Sequence, residues 1–348
     1  MTRLLLRRLG QTLLATWLLA SAVFLLSRAG GEQAVRLAQP DAADLTTPAS
    51  SPAETRATRA AIRHRLGLDQ PLFYVGRSAT GSWQWRGWHN QYHEWLRALR
   101  HGNMGTSFRS GEPVTQRLAR ALSFTLPLTG TAAVLAAAAA VALATWLAAA
   151  PPRWQRPVRA ALVALHALPL FVIALGLLLL LANPEVLDWF PATAFGFDTG
   201  ATGAGPIAEA LPRLVLPVAA LVLSALPELT LQLDAALADE LRQPYIMTAR
   251  AKGLPAAAVV RRHALRNALL PTLAQLAELL PTLVAGAVVV EAIFGWPGMG
   301  QLLATAAAAR DYPVLVGGVL LVGAARLFSL LLADLSYSRA DPRIRWQA

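Results

Sequence analysis

His89 and His93 stand four residues apart, a spacing that on a helix places two potential metal ligands on one face. The stretch that holds them, SWQWRGWHNQYHEW (82–95), lacks the glutamate of a zinc-protease helix, and its spacing fixes no third ligand. The plainer reading is a small aromatic cap or docking surface, because tryptophan and tyrosine gather where membrane meets water. Three further ionisable residues, Glu228, Glu278 and Arg326, interrupt apolar runs. A charge at such a position costs about 2.5–3.5 kcal/mol on insertion scales, so it faces protein or water. Arg326 paired with one of the glutamates is one reading, and a carboxylate lining a path is the other. The only lysine, Lys252, is followed by Gly253. A phosphate-binding loop of the G-x-x-x-x-G-K-[ST] type needs Ser or Thr there, so any ATP chemistry lies in a partner. With no cysteine, disulfides, thiol nucleophiles and cysteine-bound metals are excluded. No G-x-S-x-G elbow or H-E-x-x-H helix occurs either, and the chain reads as a non-enzyme with no catalytic residue and no metal site.

The elements that position these residues are apolar. Of 348 residues, 55% are hydrophobic and 15% charged, against about 25% charged in soluble domains. Mean hydropathy is +0.45. A membrane helix needs about 20 apolar residues. Six segments fit: 9–27, 121–152, 160–184, 214–233, 267–290 and 312–333. The first also has the features of a secretory signal, but its length favours a retained helix. Net charge is +11, and the arginines are scattered among the apolar runs, which fits membrane topology better than nucleic acid. Arg3, Arg7, Arg8, then Arg153, Arg156, Arg159, then Arg242 to Arg266, and finally Arg339, Arg343 and Arg345 fall on one side of such a bundle. The opposite short connections hold Glu185, Asp188, Asp198 and Glu209, and Glu291, Arg310 and Asp311. The positive-inside rule makes the arginine side cytoplasmic, with both termini there. The expected fold is therefore an all-α membrane protein of six transmembrane helices. Residues 1–28 give the first helix and 29–118 a large extracytoplasmic loop, irregular to about 60 with a short helix ending at Gly67. Residues 119–335 form a five-helix core and 336–348 a cytoplasmic tail.

Between the fourth and fifth spans lies TARAKGLPAAAVVRRHALRNALLP (248–271), within a cytoplasmic loop 240–268. Pro244 suits a first helical turn, Gly253 a left-handed helix end, and Pro255 a second start. Two short helices bent at a glycine result. An amphipathic linker on anionic headgroups would account for the arginines. A tight hinge followed by an immediate return to the membrane at Pro271 suits docking to another protein better.

This segment resembles the cytoplasmic coupling loop of ABC importer permeases, whose loose pattern is E-A-A, three residues, Gly, nine residues, Ile, one residue, Leu-Pro. Gly253 matches the glycine, and His263 and Leu265 take the Ile and Leu places; Met247 stands for Glu and Arg266 for Pro. The form Y-x-x-T-A-R-A-K-G-L…R-H-A-L-R-N-A-L-L-P is similar to the dipeptide, oligopeptide and nickel branch. LGLDQPL (66–72), GTSFRSGEPV (105–114), VVVEAIFGWPGMGQLL (288–303), ARDYPV (309–314) and DPRIR (341–345) follow in the order of that family. SRAGGEQA (27–34) and the tryptophan-rich stretch depart from it.

The resemblance implies a multi-pass permease in the bacterial inner membrane, paired with a second, similar permease as a heterodimer. Two cytoplasmic ATPase subunits carry ATP and Mg, an extracytoplasmic binding protein delivers di- or oligopeptides, and membrane lipid surrounds the bundle. No nucleic acid and no cofactor in this chain are implied. Tyr245, Thr248, Ala249, Ala251, Lys252, Gly253, Leu254, His263, Leu265 and Asn267 are the ATPase-coupling candidates. Glu291, Gly295, Trp296, Pro297 and Gly298 are candidates for an extracytoplasmic gate. The rival is an ion-gradient-driven secondary transporter with Glu228 or Glu278 as proton site; it leaves the coupling loop unexplained.

Overall fold

A computed structural model describes residues 2–29, 60, 70–77, 82–191 and 207–340. Nearly every element is a helix. The chain runs α1 (Thr2–Ala29), a two-stranded hairpin of β1 (Val75–Arg77) and β2 (Trp83–Trp85), α2 (Gln91–Arg100), α3 (Val114–Ala149), α4 (Pro152–His166) and α5 (Leu170–Leu181). It continues through α6 (Ile207–Glu240), α7 (Pro244–Ala251), α8 (Ala256–Val259), a π-helical turn (Val260–Ala264), α9 (Leu265–Phe294), α10 (Met299–Ala308) and α11 (Tyr312–Ala340). Two compact units emerge: residues 1–7, 121–301 and 325–348 form one, and residues 8–120 with 302–324 the other.

In the first unit, α6 packs against α9, α5 and α4. On α3 the buried positions Leu128, Ala132, Ala136, Ala140 and Ala144 recur every four residues, one face of a helix. The alanines on that stripe let neighbouring backbones come close, the usual device where lipid removes any hydrophobic drive between helices. They pack with Ala174, Leu216, Leu221, Leu283, Val290 and Phe294 in one apolar cluster, while Ala144 joins Leu233 and Leu237 in a second. In the second unit, α1 meets α2 through Phe24, Tyr92 and Trp95. A Cβ at Gly323 would strike Thr16, so glycine permits the contact between α11 and α1.

The described residues account for part of the expected six spans. Among the described residues, Leu9–Leu26, Val114–Ala149 and Pro212–Glu240 are long and apolar enough to cross a membrane, and two bent pairs bring the number to as many as five. The run at 160–184 is one of those pairs: α4 and α5 meet at 100°. Pro169 caps α5 without an N–H to donate, and a residue before proline is pushed out of helical conformation, which breaks the run at its centre. The connection after the fifth span, expected as a short loop, contains the helix α10, set at 80° to the end of α9. Tyr312–Ala325 is a further apolar helix of shorter length. Of the irregular segment expected over 28–60, residues 28 and 29 belong to α1 and 60 is helical, and of the tail expected over 336–348, residues 336–340 continue α11. Residues 30–59, the helix over 61–67 and 341–348 lie outside the described residues.

Candidate functional site

The elbow after α6 is built from its underside. Ile246 and Ala249 of α7, Val259, Val260 and Ala264 beyond the bend, and Ala268 of α9 are all buried against Ala144, Leu233 and Leu237. Leu254 and Leu265 pack at the edge of this cluster. The bend comes from Gly253, whose φ of +78° is the left-handed region. A Cβ there would meet nothing within 4 Å, so backbone conformation rather than space calls for glycine. Pro255 then caps α8 in extended geometry, and the helix widens into a π turn over Val260–Ala264.

The outer side of the elbow is open. Tyr245, Met247, Thr248, Arg250, Ala251, Lys252, Gly253, Arg261, Arg262, Arg266 and Asn267 are exposed, while His263 is half-buried on the π turn. Ala249 points inward, so the small residues on the exposed side are Thr248, Ala251 and Gly253. Tyr245 closes the elbow: its hydroxyl donates to the Glu240 carboxylate and accepts from Asn267 Nδ2 at 3.0 Å. Local desolvation and the Glu240 bond push its pKa above the ordinary phenol value, so the hydroxyl remains a neutral donor. The end of α6, the start of α7 and the start of α9 are thus tied at one oxygen. A second tie holds α4 to α6, where Arg159 grips Asp234 with Nε at 2.7 Å and Nη2 at 3.1 Å. In the sequence Arg159 bears only on orientation and Asp234 carries no motif; its position at the end of an apolar run is the one available signal.

Five residues named as gate candidates form one corner. Gly295 ends α9 with φ +63°, and Glu291, fully buried, turns its carboxylate onto the start of α10. Thr125 Oγ1 donates to Glu291 Oε1 at 2.6 Å, and the backbone N–H groups of Gly300 and Gln301 donate to Oε2 at 2.6 and 3.2 Å. Met299 N in turn donates to Thr125 Oγ1 at 2.8 Å. A carboxylate on the free N–H groups of a first turn is a capping arrangement that the helix dipole favours. A Cβ on Gly298 would overlap that carboxylate. Trp296 Nε1 reaches the Phe124 carbonyl at 3.1 Å. Thr125, absent from the candidate set, is as central to this corner as Glu291.

In the other unit the motifs GTSFRSGEPV and ARDYPV meet. Buried Asp311 accepts from the Ser107 hydroxyl, from Phe108 N at 3.0 Å and from Arg117 Nη1 at 3.1 Å. Sequence spacing gave no sign of this, because the partners lie 194 to 204 residues apart. The histidine pair is not on one helix face: α2 starts at Gln91 with Asn90 as its cap, leaving His89 ahead of the helix. His93 Nδ1 is hydrogen-bonded to Tyr74 at 3.0 Å. Glu228 is exposed on this chain. The side chains of Glu278 and Arg326 lie outside the described ones, and their pairing with them.

The sequence profile of the binding-protein-dependent transport system inner membrane components matches residues 120–346. The chain is 34% identical over 298 residues to the probable D,D-dipeptide transport system permease protein DdpB of Escherichia coli, covering 81% of this chain and 83% of that one. It is 35% identical over 301 residues to the di/tripeptide transport system permease protein DppB of Pseudomonas aeruginosa, covering 82% and 84%. With the glutathione transport system permease protein GsiC of Pectobacterium atrosepticum it shares 33% identity over 290 residues, covering 82% and 84%. Match and coverage together place this chain in the family of binding-protein-dependent transport system inner membrane components.

Proposed function

We propose that the chain is one permease subunit of an ATP-driven importer for di- or oligopeptides, with the elbow 240–268 as the surface through which separate ATPase subunits move it. The peptide cargo is inferred from the relatives, whose names specify D,D-dipeptide, di/tripeptide and glutathione transport. In this reading six spans cross the inner membrane with both termini cytoplasmic, and 29–118 is extracytoplasmic. A second permease completes the path as a heterodimer, two ATPases bind ATP and Mg, and a binding protein delivers the peptide. The chain itself contributes no cofactor site. Glu291, Gly295, Trp296, Pro297 and Gly298 shape the extracytoplasmic corner of the gate, and Glu228, Glu278 and Arg326 remain path or pairing candidates.

One observation carries the coupling role: an exposed, glycine-bent elbow rests on a buried apolar underside shared with α6 and α9. Close-packed side chains deform little, so a push on the exposed side is passed to those two helices rather than absorbed. The ion-driven carrier is not favoured, since the family is one of binding-protein-dependent components.

The absence of cysteine gives a clean test. Met247→Cys, on the exposed side, is expected to cross-link to an ATPase subunit in native membranes, with a yield that changes on adding ATP. Labelling by soluble thiol reagents without any ATPase adduct, at Met247 and equally at a cysteine in place of Thr248, would sink the coupling assignment.

A further inference from the structure

The tryptophan-rich stretch takes no part in the coupling elbow or the gate corner. Its hairpin sets Val75 opposite Trp85, Gly76 opposite Gln84 and Arg77 opposite Trp83. Alternation along a strand therefore puts Trp83 and Trp85 on one face and Gln84 on the other. Trp83 is 72% exposed, and Trp85 and Trp88 are 63% exposed. Large rings gathered on one exposed patch mark an interaction surface rather than a water-facing one.

The patch is firmly built. Tyr74 stacks on Trp85 with centroids 5.8 Å apart, and Trp88 meets Tyr74 and Trp85 edge-on at 5.7 and 6.0 Å. Arg86 N donates to the Tyr74 carbonyl, and the Gln91 and Tyr92 N–H groups donate to the carbonyls of Pro71 and Leu72. Hairpin and α2 thus move as one piece.

That piece is fastened near the end of the first span. The Ser21 and Tyr92 hydroxyls are hydrogen-bonded at 2.8 Å, and Phe24 stacks on Trp95 at 4.8 Å. The apolar window of α1 closes at Leu26; at about 1.5 Å per residue, Ser21 lies roughly 7–8 Å inside that end. The headgroup zone adds only about 5–7 Å on each side of the hydrocarbon. An aromatic cluster anchored at this depth is held at the membrane boundary. On α1 itself Leu18, Leu19 and Leu26 are exposed, so the span to which the cap is fastened carries an open apolar surface of its own. Arg97 and Arg100, in the last turn of α2, are exposed.

We propose that Trp83, Trp85 and Trp88 dock onto the lipid leaflet at the C-terminal end of α1, with their rings in the headgroup–acyl boundary and Arg97 and Arg100 directed to lipid phosphates. Amphipathic indole rings favour that layer, and arginine is drawn to anionic headgroups there. The hairpin is thus an interfacial anchor that fixes the external cap against the bilayer. It rests on the reading of α1 as a membrane span, and its leaflet is the extracytoplasmic one in the topology proposed above.

The test uses the assembled transporter, with its partner permease and ATPases, in vesicles of phosphatidylethanolamine and phosphatidylglycerol. Single cysteines replace Trp83, Trp88 and Gln84 in turn, and a nitroxide on each reports collisions with oxygen and with a water-soluble nickel complex. Labels at 83 and 88 are expected to meet nickel about threefold less often than the label at 84, and oxygen more often, as interfacial burial requires. Water-like collision at all three positions overturns the proposal. Water-like collision that falls only on addition of the binding protein overturns it too, and assigns the face to a protein partner. A variant that disturbs the cap is covered by fluorescence. Three of the ten tryptophans are replaced in Trp83→Phe/Trp85→Phe/Trp88→Phe, so a loss of emission quenchable by headgroup-brominated lipid larger than that share supports the anchor. A proportionate or smaller loss overturns it. An inverted topology would show separately, as nitroxides reduced by an impermeant reagent only from the ATPase side with their depth unchanged.

Discussion

Gly253 bends the elbow through its backbone alone. Its left-handed φ costs an L-residue about 1–2 kcal/mol, and open space around the absent Cβ removes any steric part of the penalty. Substitutions are therefore expected to rank by backbone tolerance. Gly253→Asn should keep most peptide uptake per ATP hydrolysed, Gly253→Ala less, and Gly253→Val least, with all three chains present in the membrane. Equal uptake in the three variants would remove the hinge role. Thr125 offers a different single-residue test, because its hydroxyl donates to Glu291 and accepts from Met299 N. Thr125→Val keeps the shape and leaves a buried carboxylate oxygen and a buried N–H without that partner, at about 1–3 kcal/mol each. Thermal unfolding of the purified complex should start earlier in that variant, whereas Thr125→Ser should stay near the parent. The glycine was legible in the sequence, flanked as it is by Pro244 and Pro255. Thr125 was not, because a threonine inside an apolar helix has no pattern that says which distant carboxylate it meets.

Among the elements, the long apolar runs were readable wherever one helix fills one run, as in α1, α3 and α6. Composition alone missed the breaks. The run 160–184 looks continuous because Leu168 and Pro169 add no charge, yet the proline ends one helix and opens another at 100°. Likewise α10 lay hidden between Gly298 and Arg310, since its direction is set by the Glu291 cap rather than by periodicity. The α4–α6 tie belongs to this scale as well. Arg159→Leu alone leaves the mostly buried Asp234 carboxylate without its guanidinium, and an unpaired buried charge is costly. The double variant Arg159→Leu/Asp234→Leu removes both charges. The single variant is expected to unfold at a lower temperature than the parent and the double to recover most of the loss. Its expected cost lies at the low end for buried pairs, because Arg159 is 39% exposed and water screens it. A double variant no better than the single would mean that the pair contributes through arginine packing instead.

For the whole molecule, the proposed orientation rests on charge asymmetry. In the proposed topology the positive-inside rule keeps the short arginine-rich connections, including Arg153, Arg156 and the run Arg261, Arg262 and Arg266, on the cytoplasmic side. It weakens with length enough to let the long loop before α3 translocate despite its own arginines. Two exposed positions test this on intact cells: Met247 in the elbow and Arg109 in the turn before α3. Met247→Cys is expected to resist a membrane-impermeant maleimide until the cells are opened, and Arg109→Cys to react at once. The reversed pattern would invert the topology and place the elbow beyond the reach of any cytoplasmic ATPase. Labelling of both before opening would place both outside, with an even number of crossings between them, and would mean that the arginine-rich connections do not hold one side. With Arg109 outside and Met247 inside, an odd number of crossings is needed between them. α3, the bent pair α4–α5 taken as one span, and α6 supply three, so the bend at Pro169 must lie within a single crossing rather than divide two.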